Sequence, residues 1–207
     1  FKLLSLLAII MVFVSCSKDP EVVYETITIT ETVVVTETVT ETVEVPASPE
    51  VPETQTVGGG IFFTDDNQTW TNDRIWVIDG KIVVREGGVL NIQPGTIIKA
   101  EDGQGVDATA LVIAKGGKLN ANGTAESPIV FTDKADELSY SNTDRISPNR
   151  VAEDTGKWGG IILLGSATVG EDGGEDDIEG IATGYEWTKY GGALDTDSSG
   201  SLQYVSI

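Results

Sequence analysis

Two acidic stretches are the residues best suited to chemistry. "GEDGGEDDIEG" places Glu171, Asp172, Glu175, Asp176, Asp177 and Glu179 within nine residues, with no Lys or Arg among them. Carboxylates packed so closely repel, and a hard divalent cation would relieve the repulsion; oxygen ligands of this kind suit Ca2+. "DTDSSG" offers Asp195, Asp197 and Ser199 at alternate positions ahead of Gly200, but "SLQYVSI" comes next and no acid closes a twelve-residue loop. Calcium at Glu171, Asp172, Glu175, Asp176, Asp177, Asp195, Asp197 and Ser199 therefore competes with a simpler reading, solvated acidic turns. Trp158, Trp187 and Tyr190 each lie near a Gly pair or a turn, where an aromatic face can pack on a sugar ring. Core or cap aromatics are the competing reading there, as for Trp70 and Trp76. Carboxylate pairs for hydrolysis are abundant (Asp65–Asp66, Asp176–Asp177), but adjacent acids on a strand point to opposite faces. No catalytic residue stands out.

Composition narrows the field. The 207 residues carry 33 acidic and 13 basic side chains, a net charge of -20. Nucleic acid is excluded as a partner, because its binders need clustered Lys and Arg. There is no histidine, which excludes a Ser-His-Asp triad and histidine-ligated zinc within these residues. One cysteine, Cys16, allows no internal disulfide, so packing must hold the fold.

Lys2 precedes the apolar run Leu3 to Val14, too short to cross a bilayer, which needs ~20 residues. A basic residue, a short apolar core and a small residue form a secretory signal. "FVSC" resembles a bacterial lipobox, with Phe13 where an aliphatic residue is usual, and "SKD" resembles the surface-export signal of Bacteroidota-type lipoproteins, interrupted by Pro20. The resemblance implies a signal peptide and lipobox over 1–16 and acylation of Cys16. It also implies an outer-membrane location facing the exterior, the membrane being reached through the lipid anchor.

Residues 17–57 change character. "YETITITETVVVTETVTETVEV" alternates β-branched residues with period two, which favours extended chain. Neither parity is apolar enough to bury, and Pro46, Pro49 and Pro52 stiffen the chain after it. A Thr/Glu/Val-rich, then Pro-rich stalk is expected, with a strand pair as the alternative; Gly58 to Gly60 would be a flexible joint.

From Ile61 onward, short apolar runs alternate with Gly, Asn and Asp, and no useful helical periodicity occurs. "GGVLNIQPGTIIK" and "GGKLNANGTAESPIVFT" repeat one phrase, with Leu90 and Asn91 matching Leu119 and Asn120. Irregular repeats of short strands suggest a solenoid. Leu90, Ile92, Ile97, Leu111, Ile113, Leu119, Ile129 and Phe131 are the expected interior ladders. An antiparallel sandwich would favour two-residue hairpins, and only "IDGK", Ile78 to Lys81, offers one clearly. These phrases, with "KWGGIILLGSA", resemble right-handed parallel β-helix domains of the pectate-lyase-like type. The resemblance implies an all-β solenoid over 58–207. Phe1 is no initiator Met and Ile207 falls inside a strand-like run, so a fragment with missing coils is expected.

The resemblance also supplies an enzyme template, a polysaccharide lyase or hydrolase, in which Arg145 or Arg150 would be the basic group of a lyase and the catalytic coils would lie beyond Ile207. The expectation carried forward is a lipid-anchored surface protein with a non-enzymatic binding, adhesion or display role, toward polysaccharide or other surface proteins, with Ca2+ as the one candidate cofactor.

Overall fold

A computed structural model describes residues 28–33, 37–42, 53–170, 174–181 and 184–207. The signal segment, Cys16 and most of the expected stalk lie outside the described residues. The chain divides into two units, Phe1–Glu50 and Val51–Ile207. In the first, β1 (Thr28–Val33) and β2 (Glu37–Thr42) pair antiparallel, Thr28 opposite Thr42 and Val33 opposite Glu37. These two six-residue stretches of the Thr/Val-rich segment are paired as strands.

The second unit is a stack of coils, each running through three faces. The first coil is β3 (Glu53–Thr64) and β4 (Asn67–Trp70); the second is β5 (Arg74–Val84) and β6 (Val89–Ile92). The third is β7 (Ile97–Ala100), β8 (Ala110–Ile113) and β9 (Lys118–Asn122). The fourth begins with β10 (Ile129–Asp133) and β11 (Ile161–Leu163). A side hairpin of β12 (Glu175–Asp177) and β13 (Lys189–Gly191) interrupts it before β14 (Gly200–Gln203). β15 (Val205–Ser206) opens a fifth. All pairing between coils is parallel: the first half of β5 with β7, β7 with β10, the second half of β5 with β8, β8 with β11, and β4, β6, β9 and β14 in one sheet.

β3 and β5 are long because each bends from the first face to the second, with parallel pairing on both sides of the bend. Their registers slip between Gly58 and Gly60, opposite Asp79 and Gly80. Gly80 has φ +78, and a Cβ there would sit 2.0 Å from the Gly60 carbonyl oxygen; only glycine permits both the conformation and the approach. "IDGK" is a corner inside one strand, not a hairpin, and the three glycines are a paired bend, not a flexible joint. The coils begin at Glu53, within the segment assigned to the stalk.

The interior is filled from all three faces: Trp76, Ile98 and Phe131; Ile82, Leu111 and Ile113; Leu90, Ile92 and Leu119. Ile97 is the exception among the expected ladder residues. Neighbours on a strand point to opposite sides, and Ile98, in register with Trp76 and Phe131, takes the inward position. Ile97 points outward and packs with Ile75, Val130 and Leu138.

The long insertions of the fourth coil cover two outer faces. Leu138 and Tyr140 lie over the first, where the Tyr140 hydroxyl donates to the Arg74 carbonyl at 2.8 Å. Ile181 and Trp187 lie over Val83, Ala110, Val112 and Leu164 on the second. The third face keeps a polar ladder, in which the Asn120 amide donates to the Asn91 side-chain oxygen at 3.0 Å.

Candidate functional site

The corner between the first and second faces holds the turn joining β7 to β8, a 3-10 turn at Gly105–Asp107 at its tip. Strand alternation points Lys81 outward from β5, beneath this turn. Lys81 is only 5% exposed. Its amine donates to the Val106 carbonyl at 2.9 Å and also to the Ala108 carbonyl. Burial holds the amine below the usual lysine range, against the pull of the Asp107 carboxylate. The Gly80 N–H donates to the Thr109 hydroxyl at 3.2 Å, tying the turn's other foot to the same corner.

A pocket opens on each side of this pinned turn. One, about 310 Å³, is lined by Ile61, Asp79, Lys81, Asp102, Asp107 and Trp187, among others. The other, about 280 Å³, includes Gln104, Trp158, Ile162, Glu179 and Ile181 in its wall. Two of the three aromatic residues singled out in the sequence therefore line neighbouring pockets. Trp187 sits in a 3-10 turn, Glu186–Thr188, and is 6% exposed. Tyr185 stacks on it with ring centres 5.7 Å apart and planes 20° apart, while Phe63 meets it edge-on at 6.3 Å. Tyr185 is half exposed and carries the accessible ring of the pair; its only signal in the sequence is the phrase "GYEW". Trp158 lies parallel to Phe131 at 6.2 Å, and the N–H of the next residue, Gly159, donates to the Thr109 carbonyl at 2.7 Å. Tyr190 packs in the apolar cluster over the second face instead. Trp70 and Trp76 stack on each other at 5.3 Å, as cap and core aromatics of the first two coils.

Ring surface beside carboxylates that accept hydrogen bonds is an arrangement that receives hydroxyl-rich ligands. The surrounding architecture has a recognisable family. Residues 62–207 match the family model described as a pectate-lyase like beta helix domain. The chain belongs to this family. No curated protein and no solved structure matches the chain.

In the β-helix domain the expected calcium ligands hold loops. Glu171 and Asp172 lie outside the described residues. Glu175 pairs with Lys115, and the hydrogen bond and charge of that amine hold its carboxyl below the usual range. Asp176 accepts from the Asp177 N–H at 2.7 Å, and Asp177 accepts from the Thr188 hydroxyl. Asp195 accepts from the Thr168 N–H at 2.9 Å, and hydrogen bonding by Thr168 keeps that carboxyl low. Asp197 accepts from the Ser166 N–H at 2.7 Å, and the Ser199 carbonyl from the Leu119 N–H at 2.8 Å. Among the described residues, no three acidic side chains are grouped as a metal ion would require.

The two arginines of the β10–β11 insertion are engaged within the β-helix domain. Arg150 pairs with buried Asp133 and lies 3.7 Å from Asp154. The Arg145 guanidinium sits 4.9 Å over the Tyr140 ring. Asp79, Asp102 and Asp107 of the first pocket do not stand out in the sequence. They are ordinary turn residues there, and only the stacking of coils two and three brings them to one corner.

Proposed function

We propose that this β-helix domain is displayed at the cell surface on a lipid attached to Cys16 and binds glycan there without transforming it. The observation that carries the proposal is the pair of pockets flanking one turn, each lined by a tryptophan and by at least one carboxylate. Sugar rings stack on aromatic faces, for which Trp158 is the more open ring, Trp187 lying under Tyr185; the hydroxyls of a chain crossing the turn would find carboxylate acceptors on either side, Glu179 in one pocket and Asp102 in the other. The structural duties of Arg150, Lys81 and the acidic loops support a binding role over a catalytic one. The N-terminal resemblance to a lipobox supports the anchor.

Calorimetric titration with a panel of neutral and acidic oligosaccharides tests the binding. At least one should bind, and Glu179→Gln and Asp102→Asn, one in each pocket, should each weaken it by about tenfold with the melting temperature unchanged. A panel with no binder would overturn the glycan reading. The anchor is tested separately: labelled fatty acid should enter the wild-type protein and not Cys16→Ser.

A further inference from the structure

The two corner pockets hold negative charge that no side chain around them answers. Many acids of the coils are paired: Asp65 with Arg85, Asp73 with Arg74, Glu101 with Lys134, Asp133 with Arg150 and Glu175 with Lys115. Asp79, Asp102 and Asp107 line the Trp187 pocket and Glu179 the Trp158 pocket. Among the described residues, none of these four carboxylates accepts a hydrogen bond or forms an ion pair. Lys81 is the one basic residue among those lining either pocket, and its amine is engaged by the Val106 and Ala108 carbonyls. Concave walls lined by one sign of charge focus the field and concentrate ligands of the other sign.

The spread of the carboxylates limits what the answering charge can be. A metal ion needs several oxygen ligands converging on one point, and among the described residues no three acids converge so. The carboxylates lie instead on both sides of one turn. Such a layout suits a ligand that carries its cations at intervals. Beside them, Ile61 and Val106 are 47% and 67% exposed and line the same pocket as the three aspartates. A pyranose with an amine in place of one hydroxyl has an apolar ring face, hydroxyl donors and one ammonium per ring.

We propose, resting on the glycan reading above, that the sugars taken by these pockets carry free amines: an oligosaccharide of amino sugars whose nitrogens are not acylated. Each ammonium donates to a pocket carboxylate, and charge-assisted hydrogen bonds are roughly twice as strong as neutral ones. An N-acetyl group removes that charge. A uronate meets repulsion from the pockets and from a chain of net charge -20.

Calorimetry with three oligomers of equal length tests this: β-1,4-linked glucosamine, its fully N-acetylated form and an oligouronate, in about 50 mM salt, where screening is weak. The free-amine oligomer should bind at least about tenfold tighter than the acetylated one, and the uronate should not bind. Asp79→Asn combined with Asp102→Asn, and separately Glu179→Gln, should bring that ratio down toward one with melting temperatures unchanged. Glu126→Gln, an exposed acid in the turn from β9 to β10, should leave it unchanged. Equal affinity for the amine and acetylated forms overturns the inference and leaves the glycan reading standing. A preference that survives the pocket variants, or falls as far with Glu126→Gln, is general attraction to an acidic chain and overturns it too. Failure of all three oligomers to bind overturns it together with the glycan reading, as does a lysine oligomer that binds as tightly as the amino sugar.

Discussion

The amine of Lys81 reaches the carbonyl oxygen of Val106 at 2.9 Å, across the turn that separates the two corner pockets. A charged donor buried under a turn and shared between two carbonyls is a strong local restraint, worth about 1.5–3 kcal/mol for a hydrogen bond of this kind. Lys81→Met keeps most of the side-chain volume and loses both donations. It should cost about 2 kcal/mol in a denaturant titration and speed amide exchange over residues 102–108. Unchanged exchange in that turn would show that the lysine does not position it.

Asp136 staples the insertion over the first face. Its carboxylate accepts from the Thr132 hydroxyl at 2.6 Å, the Ser147 hydroxyl at 2.7 Å and the Leu138 N–H at 2.8 Å. Burial pushes the carboxyl up, but these bonds and the charge of Lys99 outweigh it, and the group titrates below the ordinary Asp value. A folded pKa below the unfolded one contributes stability that is complete above about pH 4 and fades as the pH falls through the folded value. Asp136→Asn should therefore cost about 1–3 kcal/mol at pH 7, and its deficit relative to wild type should shrink in acid. Thermal melts at neutral and acid pH measure this; a deficit that stays constant would place the loss elsewhere.

The repeat of "GGVLN" and "GGKLN" is enough to stack Leu90 on Leu119 and to indicate coils, because those residues share one register position on the third face. The corner at Gly58 to Gly60 is not legible in the same way, because a glycine run looks alike in a joint and in a bend; the difference lies in Gly80, twenty residues on. Ile97 reads as inward because two adjacent isoleucines give no clue to parity until Ile98 is aligned with Phe131. The pockets are half visible. Trp158 and Trp187 stand out by type, while the carboxylates opposite Trp187 come from different coils and share no local spacing. The insertions after β10 and β11 hide the repeat altogether, since their apolar residues serve the outer faces.

The stacked pair of Phe131 and Trp158 divides core from corner. Phe131 is 2% exposed and inside the coil, whereas Trp158 is half-buried at the mouth of a pocket. Phe131→Ala should cost about 3–5 kcal/mol. Trp158→Ala should cost less, because part of its ring already meets water. Urea titrations of both variants give the order; a larger loss for Trp158 would make that ring a core element and weaken its assignment to a ligand site.

Two glycines of similar backbone conformation separate strain from close approach. Gly80 has φ +78 and Gly87 φ +83, and an L side chain pays about 1–2 kcal/mol for such a conformation. At Gly87 a Cβ would have nothing within 4 Å, so Gly87→Ala should cost that strain and little more. At Gly80 a Cβ would lie 2.0 Å from the Gly60 carbonyl oxygen and 2.9 Å from its carbon, both backbone atoms of the neighbouring coil. Relief requires β3 to move off β5 at the corner, which breaks parallel pairing on either side of the bend. Gly80→Ala should therefore lose at least about 2 kcal/mol more than Gly87→Ala, with the excess seen as faster amide exchange in β3. Equal losses in the two variants would mean that the first coil is held loosely enough to step aside, and that the bend between Gly58 and Gly60 is not what fixes β3 on the stack.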